Sequence, residues 1–252
     1  MKDRLDNLLV KAGLAESKEQ AQRLILAGEV RVNGQTQTKA GHKWPDDAAL
    51  EVEHPPRFVS RGGIKLQGAF EAFPSFDVSG KVCLDVGSST GGFTDCLLQH
   101  GAARVIAVDV GKGQLHWKLR NDPRVFVMES FNARYLKPED LPEQPQAGVT
   151  DVSFISLRLI LPPMAAVLPP GAPLLSLIKP QFEAGREHVP GGVVRDPAVR
   201  EAVVEEIRRY GVEKIGLEWL GCEPSPIKGP EGNVEFLAYW RKPAETEGQH
   251  AD

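Results

Sequence analysis

Hydrophobic positions recur at two different spacings along the chain, and the spacing changes near residue 80. In the first 54 residues Leu5, Leu8, Leu9 and Ala12 repeat at helical intervals, and Gly13 marks the stop. Ser17-Lys18-Glu19-Gln20 reads as a capping box in which Ser17 caps a second helix and Gln20 reaches back. Ala21, Leu24 and Ile25 form the apolar face of that helix, and Gly28 closes it. Val30-Arg31-Val32 alternates as a strand and runs into Asn33-Gly34, a strong hairpin signal. Leu50-Glu51-Val52 is a last strand before His54-Pro55-Pro56, which reads as a linker.

Beyond residue 80 the rhythm becomes strand, helix, strand, which predicts a parallel sheet with covering helices. Val82-Cys83-Leu84-Asp85-Val86 is an apolar strand ending at a glycine-rich turn, and residues 93–100 read as a helix closed by Gly101. Further strands are expected at residues 105–109, 125–128, 149–152 and 174–178. A long helix from about Pro197 to Tyr210 carries Val203, Ile207 and Tyr210 on one face, and residues 215–222 and 233–240 read as two closing strands. Residues 243–252 hold three acids and no Lys or Arg, which predicts a disordered acidic tail.

Composition changes this picture little: 252 residues, 41% hydrophobic and 25% charged, suit one large domain or two unequal ones. Three cysteines, Cys83, Cys96 and Cys222, form no C-x-x-C pair, so neither a disulfide framework nor a zinc site is expected, and a reducing cytoplasm fits. No apolar run approaches the ~18 residues of a membrane span. The net charge of −4 speaks against a broad nucleic-acid-binding surface, yet residues 1–43 carry eight Lys or Arg against five acids. A small basic unit of two helices and a hairpin fits an RNA-binding appendage.

The strongest motif is Asp85-Val86-Gly87-Ser88-Ser89-Thr90-Gly91-Gly92-Phe93-Thr94, between a buried strand and a helix. A dinucleotide fold would use G-x-G-x-x-G to hold a pyrophosphate; here the spacing is G-x-x-x-G-G, and Asp85 would repel a phosphate. That carboxylate suits an amino group or a sulfonium-bearing ligand. Asp109 ends the next strand, where an acid can accept both ribose hydroxyls of a nucleoside. Together these favour S-adenosylmethionine over NAD.

Four more residues fall where chemistry would sit on such a fold. Asp151 ends the fourth strand, at the edge where ligands of open α/β sheets bind. Lys179 ends the fifth and is followed by Pro180; Lys65 enters the helix before the first strand; Glu235 lies on the last strand. A ribose 2′-hydroxyl is a poor nucleophile whose proton must be removed or stabilised as its oxygen attacks a methyl group. A lysine does this when burial or a neighbouring cation favours its neutral form, and most of the rate should come from holding oxygen, carbon and sulfur in line.

With these residues assembled, the chain resembles the TlyA family, in which an S4 RNA-binding domain precedes an FtsJ-like methyltransferase domain. The resemblance runs from about residue 2 to residue 242. It is carried by the stretches 58–66, 85–94, 121–125, 151–157 and 179–183, and by Gly232-Asn233-Val234-Glu235. It implies an S4 domain over residues 1–54, a linker over 55–63 and a methyltransferase domain over 64–242. The implied fold is α/β, a Rossmann-like class I methyltransferase sheet with helices on both faces, preceded by a small α+β domain. It also implies S-adenosylmethionine-dependent 2′-O-methylation of cytidine in ribosomal RNA, with Lys65, Asp151, Lys179 and Glu235 as the catalytic tetrad. By the same resemblance Lys179 is nearest the hydroxyl proton. Asp85, Gly87, Ser89, Thr90, Gly91, Gly92, Phe93, Thr94, Asp109, Val110, Asn132 and Asp151 would hold the cofactor, Asn132 meeting the adenine. Ribosomal RNA or a ribosomal subunit is the expected partner, met by Arg4, Lys11, Lys18, Arg23, Arg31, Arg57 and Arg61, with no metal and no membrane. Phe154 and Phe182, beside the tetrad, are candidates to stack on a base. The short termini lean toward large-subunit RNA. A non-catalytic ribosome-assembly factor is the alternative, and the label haemolysin sometimes given to the family finds no lytic helix here.

Overall fold

A computed structural model describes residues 2–53 and 56–244 as two compact units that divide between residues 60 and 61. In the first, β1 (Lys2–Arg4), α1 (Leu5–Lys11), α2 (Lys18–Leu26), β2 (Val30–Val32), β3 (Gln35–Gln37), β4 (Lys43–Pro45) and β5 (Leu50–Val52) follow in order. β2 is the middle strand of an antiparallel sheet with β3 and β5, and β1 pairs with β4. Leu5, Leu9, Ala21 and Ile25 from the helices meet Val30 and Val32 in a small core. Asn33 and Gly34 both adopt positive φ (50° and 78°), as a two-residue hairpin turn of this hand requires. At α2 the Ser17 hydroxyl oxygen accepts from the Gln20 backbone N–H (3.2 Å). The Gln20 side chain does reach back, but one residue further than a capping box: it accepts from the Glu16 N–H (2.6 Å).

The second unit holds α3 (Gly62–Ala72), β6 (Val82–Val86), α4 (Gly92–Gln99), β7 (Arg104–Val108), α5 (Trp117–Arg120), β8 (Val125–Met128), β9 (Ala147–Thr150), α6 (Leu161–Val167), β10 (Pro173–Ile178), α7 (Pro180–Glu183), α8 (Pro197–Tyr210), β11 (Glu218–Pro224) and β12 (Phe236–Arg241). Their seven-stranded sheet runs β11-β12-β10-β9-β6-β7-β8. Five neighbours, β10 to β8, are parallel; the four inner ones are buried, largely apolar runs, and the edge strand β8 leaves Phe126 exposed. The chain moves one way from β6 to β8 and the other from β9 to β10, so right-handed crossovers place the connecting helices on opposite faces.

The parallel sheet read from the strand–helix rhythm carries an antiparallel strand at one edge. β12 inserts antiparallel between β10 and β11, because a tight return from β11 needs no crossover helix. Four boundaries also move. β9 stops at Thr150 and leaves Asp151 beyond it, and Glu235 precedes β12 instead of lying on it. Residues Gly211–Ile215 extend α8 as a π-turn ended by Gly216 at φ 81°, which delays β11 to Glu218. α3 begins at Gly62, inside the stretch read as linker. Most of the expected acidic tail, from residue 245, lies outside the described residues. No helix among the described residues is long and apolar enough to cross a membrane.

Candidate active site

The order β8-β7-β6-β9-β10 reverses direction at β6 and β9, and their carboxyl ends open the crevice where such sheets bind ligands. Gly87 makes the turn out of β6 at φ 82°, and a Cβ there would come 2.7 Å from the Asp151 carbonyl oxygen. Only glycine lets the two strand ends meet this closely. Beside them lies a cleft of about 390 Å³, within the range of small-molecule sites. Its walls include Gly87, Ser89, Asp109, Val110, Asn132 and Asp151, six of the expected cofactor residues. Asp109 is held rigidly there: its Oδ2 accepts from the Ser89 N–H and its Oδ1 from the Gly111 N–H, both at 2.7 Å. Each oxygen keeps a lone pair for a ribose hydroxyl.

Asp85, Gly91, Gly92, Phe93 and Thr94 do not line this cleft; they are buried behind it. Thr90 is exposed and its carbonyl accepts from the His116 N–H. The first turn of α4 packs inward, and the Thr94 hydroxyl donates to Asp85 Oδ2 at 2.6 Å. Asp85 Oδ1 is buried and takes no direct hydrogen bond. Burial pushes this carboxyl up to about 7, against the Thr94 hydroxyl that favours the charged form. A buried acceptor short of a donor, a fixed carboxylate for a ribose and an apolar cleft fit an S-adenosylmethionine-sized nucleoside with an ammonium tail.

The tetrad assembles at the Asp151 end of the cleft. Lys65 comes from α3, Asp151 follows β9, Lys179 follows β10 and Glu235 precedes β12. Lys65 and Lys179 are each 7% exposed and Glu235 is 1% exposed. Lys65 Nζ donates to Glu235 Oε2 at 2.6 Å and lies 3.8 Å from Asp151 Oδ2. Lys179 Nζ lies 2.5 Å from Asp151 Oδ1 and donates to Ser153 Oγ at 2.9 Å. The charges thus alternate, Glu235, Lys65, Asp151, Lys179, and each buried ion has a partner, without which burial would be prohibitive. The Gln181 Nε2 donates to Glu235 Oε1 (3.2 Å), and Gly229 is kept bare by the same carboxylate, which a Cβ would strike.

The sequence reading missed Ser153 and Gln181, which touch tetrad residues, and the cleft walls Gln114, Phe131, Val152 and Ile155. Ser153 and Gln181 stand inside the stretches 151–157 and 179–183, so closeness to a tetrad residue was the available signal. Gln114 has none.

Comparison with known proteins shows the family of the chain. Residues 58–242 match the FtsJ-like methyltransferase family, and residues 3–43 match the S4 domain. The chain is 47% identical over 241 residues to the 16S/23S rRNA (cytidine-2′-O)-methyltransferase TlyA of Mycobacterium tuberculosis, covering 94% of this chain and 89% of that one. It belongs to the TlyA family of FtsJ-like methyltransferases. It is also 45% identical to Hemolysin A of Brachyspira hyodysenteriae, over 94% of this chain and 99% of that protein. A solved chain from Streptococcus thermophilus described as a hemolysin superposes with a TM-score of 0.75 at 46% identity, over 96% of this chain and 89% of that one.

Within the S4 unit of this TlyA family member, several expected RNA contacts already have partners. Arg4 binds Asp6 through Nε (2.9 Å) and Nη2 (2.7 Å), Lys11 meets Asp3 (2.5 Å), and Arg31 meets Glu53 (2.6 Å). No ion pair holds Lys18 or Arg23 among the described residues. The Arg57 guanidinium lies over the Phe58 ring at 4.9 Å. In the second unit Arg61 donates to the Lys228 carbonyl at 2.7 Å, on the loop that leads to Glu235.

Proposed function

We propose that this chain transfers the methyl group of S-adenosylmethionine to the 2′-oxygen of a cytidine in ribosomal RNA. The observation that carries the reading is Lys179 Nζ, held between Asp151 Oδ1 and Ser153 Oγ where the tetrad meets the cleft. When bound, the cofactor supplies an electrophilic methyl on a sulfonium. Asp109 would hold its ribose and Asn132 its adenine, and the buried Asp85 carboxylate behind the cleft would favour its ammonium end. Lys179 Nζ, after giving its own extra proton to solvent, takes the 2′-hydroxyl proton as that oxygen bonds to the methyl carbon and the carbon–sulfur bond breaks, and Asp151 fixes Nζ in place. Lys65, tied to Glu235, holds the other oxygen of Asp151. Phe154, 91% exposed with its ring centroid 5.0 Å from that of Phe182, offers a face on which the flipped base stacks.

The relatives divide over the RNA. The 47% relative is named for 16S and 23S RNA, and a 34% relative from Campylobacter jejuni for 23S alone, so both subunits belong in the assay. With methyl-labelled cofactor and ribosomal particles, wild-type protein labels the RNA. Lys179→Ala loses about 10²–10⁴-fold in rate, the usual size of an acid–base contribution. Equal labelling by that variant removes Lys179 from the mechanism.

A further inference from the structure

Residues 179–183 grip a single loop, residues 151–157, at three points. At one end Lys179 meets Asp151 and Ser153. In the middle the Phe182 ring packs on that of Phe154. At the far end both oxygens of Glu183 are taken: Oε2 accepts from the Ser156 hydroxyl (2.6 Å) and Oε1 from the Leu157 N–H (2.7 Å). Pro180 begins the four-residue helix α7, so Lys179 and Glu183 stand one turn apart.

The loop needs such anchoring. Phe154 adopts φ 62°, a left-handed conformation that a bulky side chain keeps only where its flanks are fixed. Residues 151–155 also form one wall of the cleft. Glu183 is largely buried, which raises its carboxyl above the usual glutamate range, and its hydrogen bonds with Ser156 and Leu157 pull the other way. Arg158 is engaged elsewhere, on Glu206 at 2.7 Å.

We propose that Glu183 is a positioning residue for methyl transfer: by holding Ser156 and Leu157 it sets residues 151–157 against Lys179, and with them the Lys179–Asp151 contact and the cleft wall. It is not among the residues that line the cleft. The proposal rests on the assignment of Lys179 and Asp151 to methyl transfer, so its test needs a readout that does not depend on activity.

Hydrogen exchange of the full chain supplies it. In Glu183→Ala the Leu157 amide exchanges about tenfold faster or more, the scale of a lost hydrogen bond to a charged group. Glu183→Gln, which keeps one acceptor oxygen, falls between the two. Methyl transfer to ribosomal RNA per folded molecule drops about tenfold in Glu183→Ala and is partly restored in Glu183→Gln. Adding Ser156→Ala to Glu183→Ala costs only the cap that the Ser156 hydroxyl oxygen gives the Arg158 N–H (3.1 Å). Should Glu183→Ala fail to fold, Ser156→Ala alone removes one tether and shifts both readouts the same way by less. Unchanged Leu157 exchange, or full activity per folded molecule, overturns the proposal. If the wild-type chain transfers no methyl group to ribosomal RNA, the functional reading fails, while the exchange data still decide whether Glu183 holds the loop.

Discussion

Asp85 lies fully buried at the end of β6, with the Thr94 hydroxyl on its Oδ2. Its carboxyl is raised by burial from an ordinary 3.8 to about 7. The folded chain therefore keeps a proton there that the unfolded chain releases near pH 4. Stability from this group is present below that pH and is lost as pH rises through 7. Asp85→Asn removes the cost, so thermal melts should show the variant gaining several degrees over wild type at pH 8, less at pH 5 and little at about pH 4; ~1 kcal/mol moves a domain of this size by about 2–4 °C. The same variant should bind the cofactor more weakly by calorimetry, because a neutral amide no longer attracts an ammonium. A stabilised variant with undiminished affinity would show that Asp85 serves the fold alone. Asp85 and Asp109 could both be picked out in the sequence because each closes an apolar strand. That one is buried and the other lines the cleft could not, since burial depends on how α4 packs over the turn.

At the scale of elements, the turn out of β6 does the most to shape the site. Gly87→Ala must bear a positive φ and a Cβ 2.7 Å from the Asp151 carbonyl oxygen. Denaturant titration should show a loss of about 1–3 kcal/mol, with cofactor affinity falling alongside as the two strand ends part. Wild-type affinity in that variant would mean the strand ends do not need to touch. The central strands were legible because apolar runs bounded by turn residues have few alternatives. β1 and β4 were not, since Lys2-Asp3-Arg4 and Lys43-Trp44-Pro45 are three-residue, mostly polar strands with no period to read. The direction of β12 was equally hidden, because alternation reads the same along a strand either way. The strand expected from residue 233 begins at Phe236 and leaves Glu235 just before it, because Asn233 is engaged with Val194 and Gly192.

For the whole molecule, a net charge of −4 coexists with relatives named as rRNA methyltransferases. The charge is sorted along the chain, and the S4 unit neutralises part of its own cations in exposed pairs worth only about 0–1 kcal/mol each, weak enough for phosphates to replace. Lys18 and Arg23 need no such exchange. Lys18→Ala with Arg23→Ala should weaken ribosomal RNA binding and lower the slope of log affinity against log salt by about 1.5, near the value for two lost phosphate contacts. Cofactor affinity should not change. An unaltered salt slope would move the RNA contacts elsewhere. Those pairs were invisible in the sequence, where every Lys or Arg looks equally available. The most direct test of the central claim is nucleoside analysis of ribosomal RNA after incubation with the protein and methyl-labelled cofactor, wild type against Lys179→Ala. The geometry predicts label in 2′-O-methylcytidine with wild type and its loss in the variant; label on a base or in ribosomal protein, or equal 2′-O-methylcytidine in both, would contradict it.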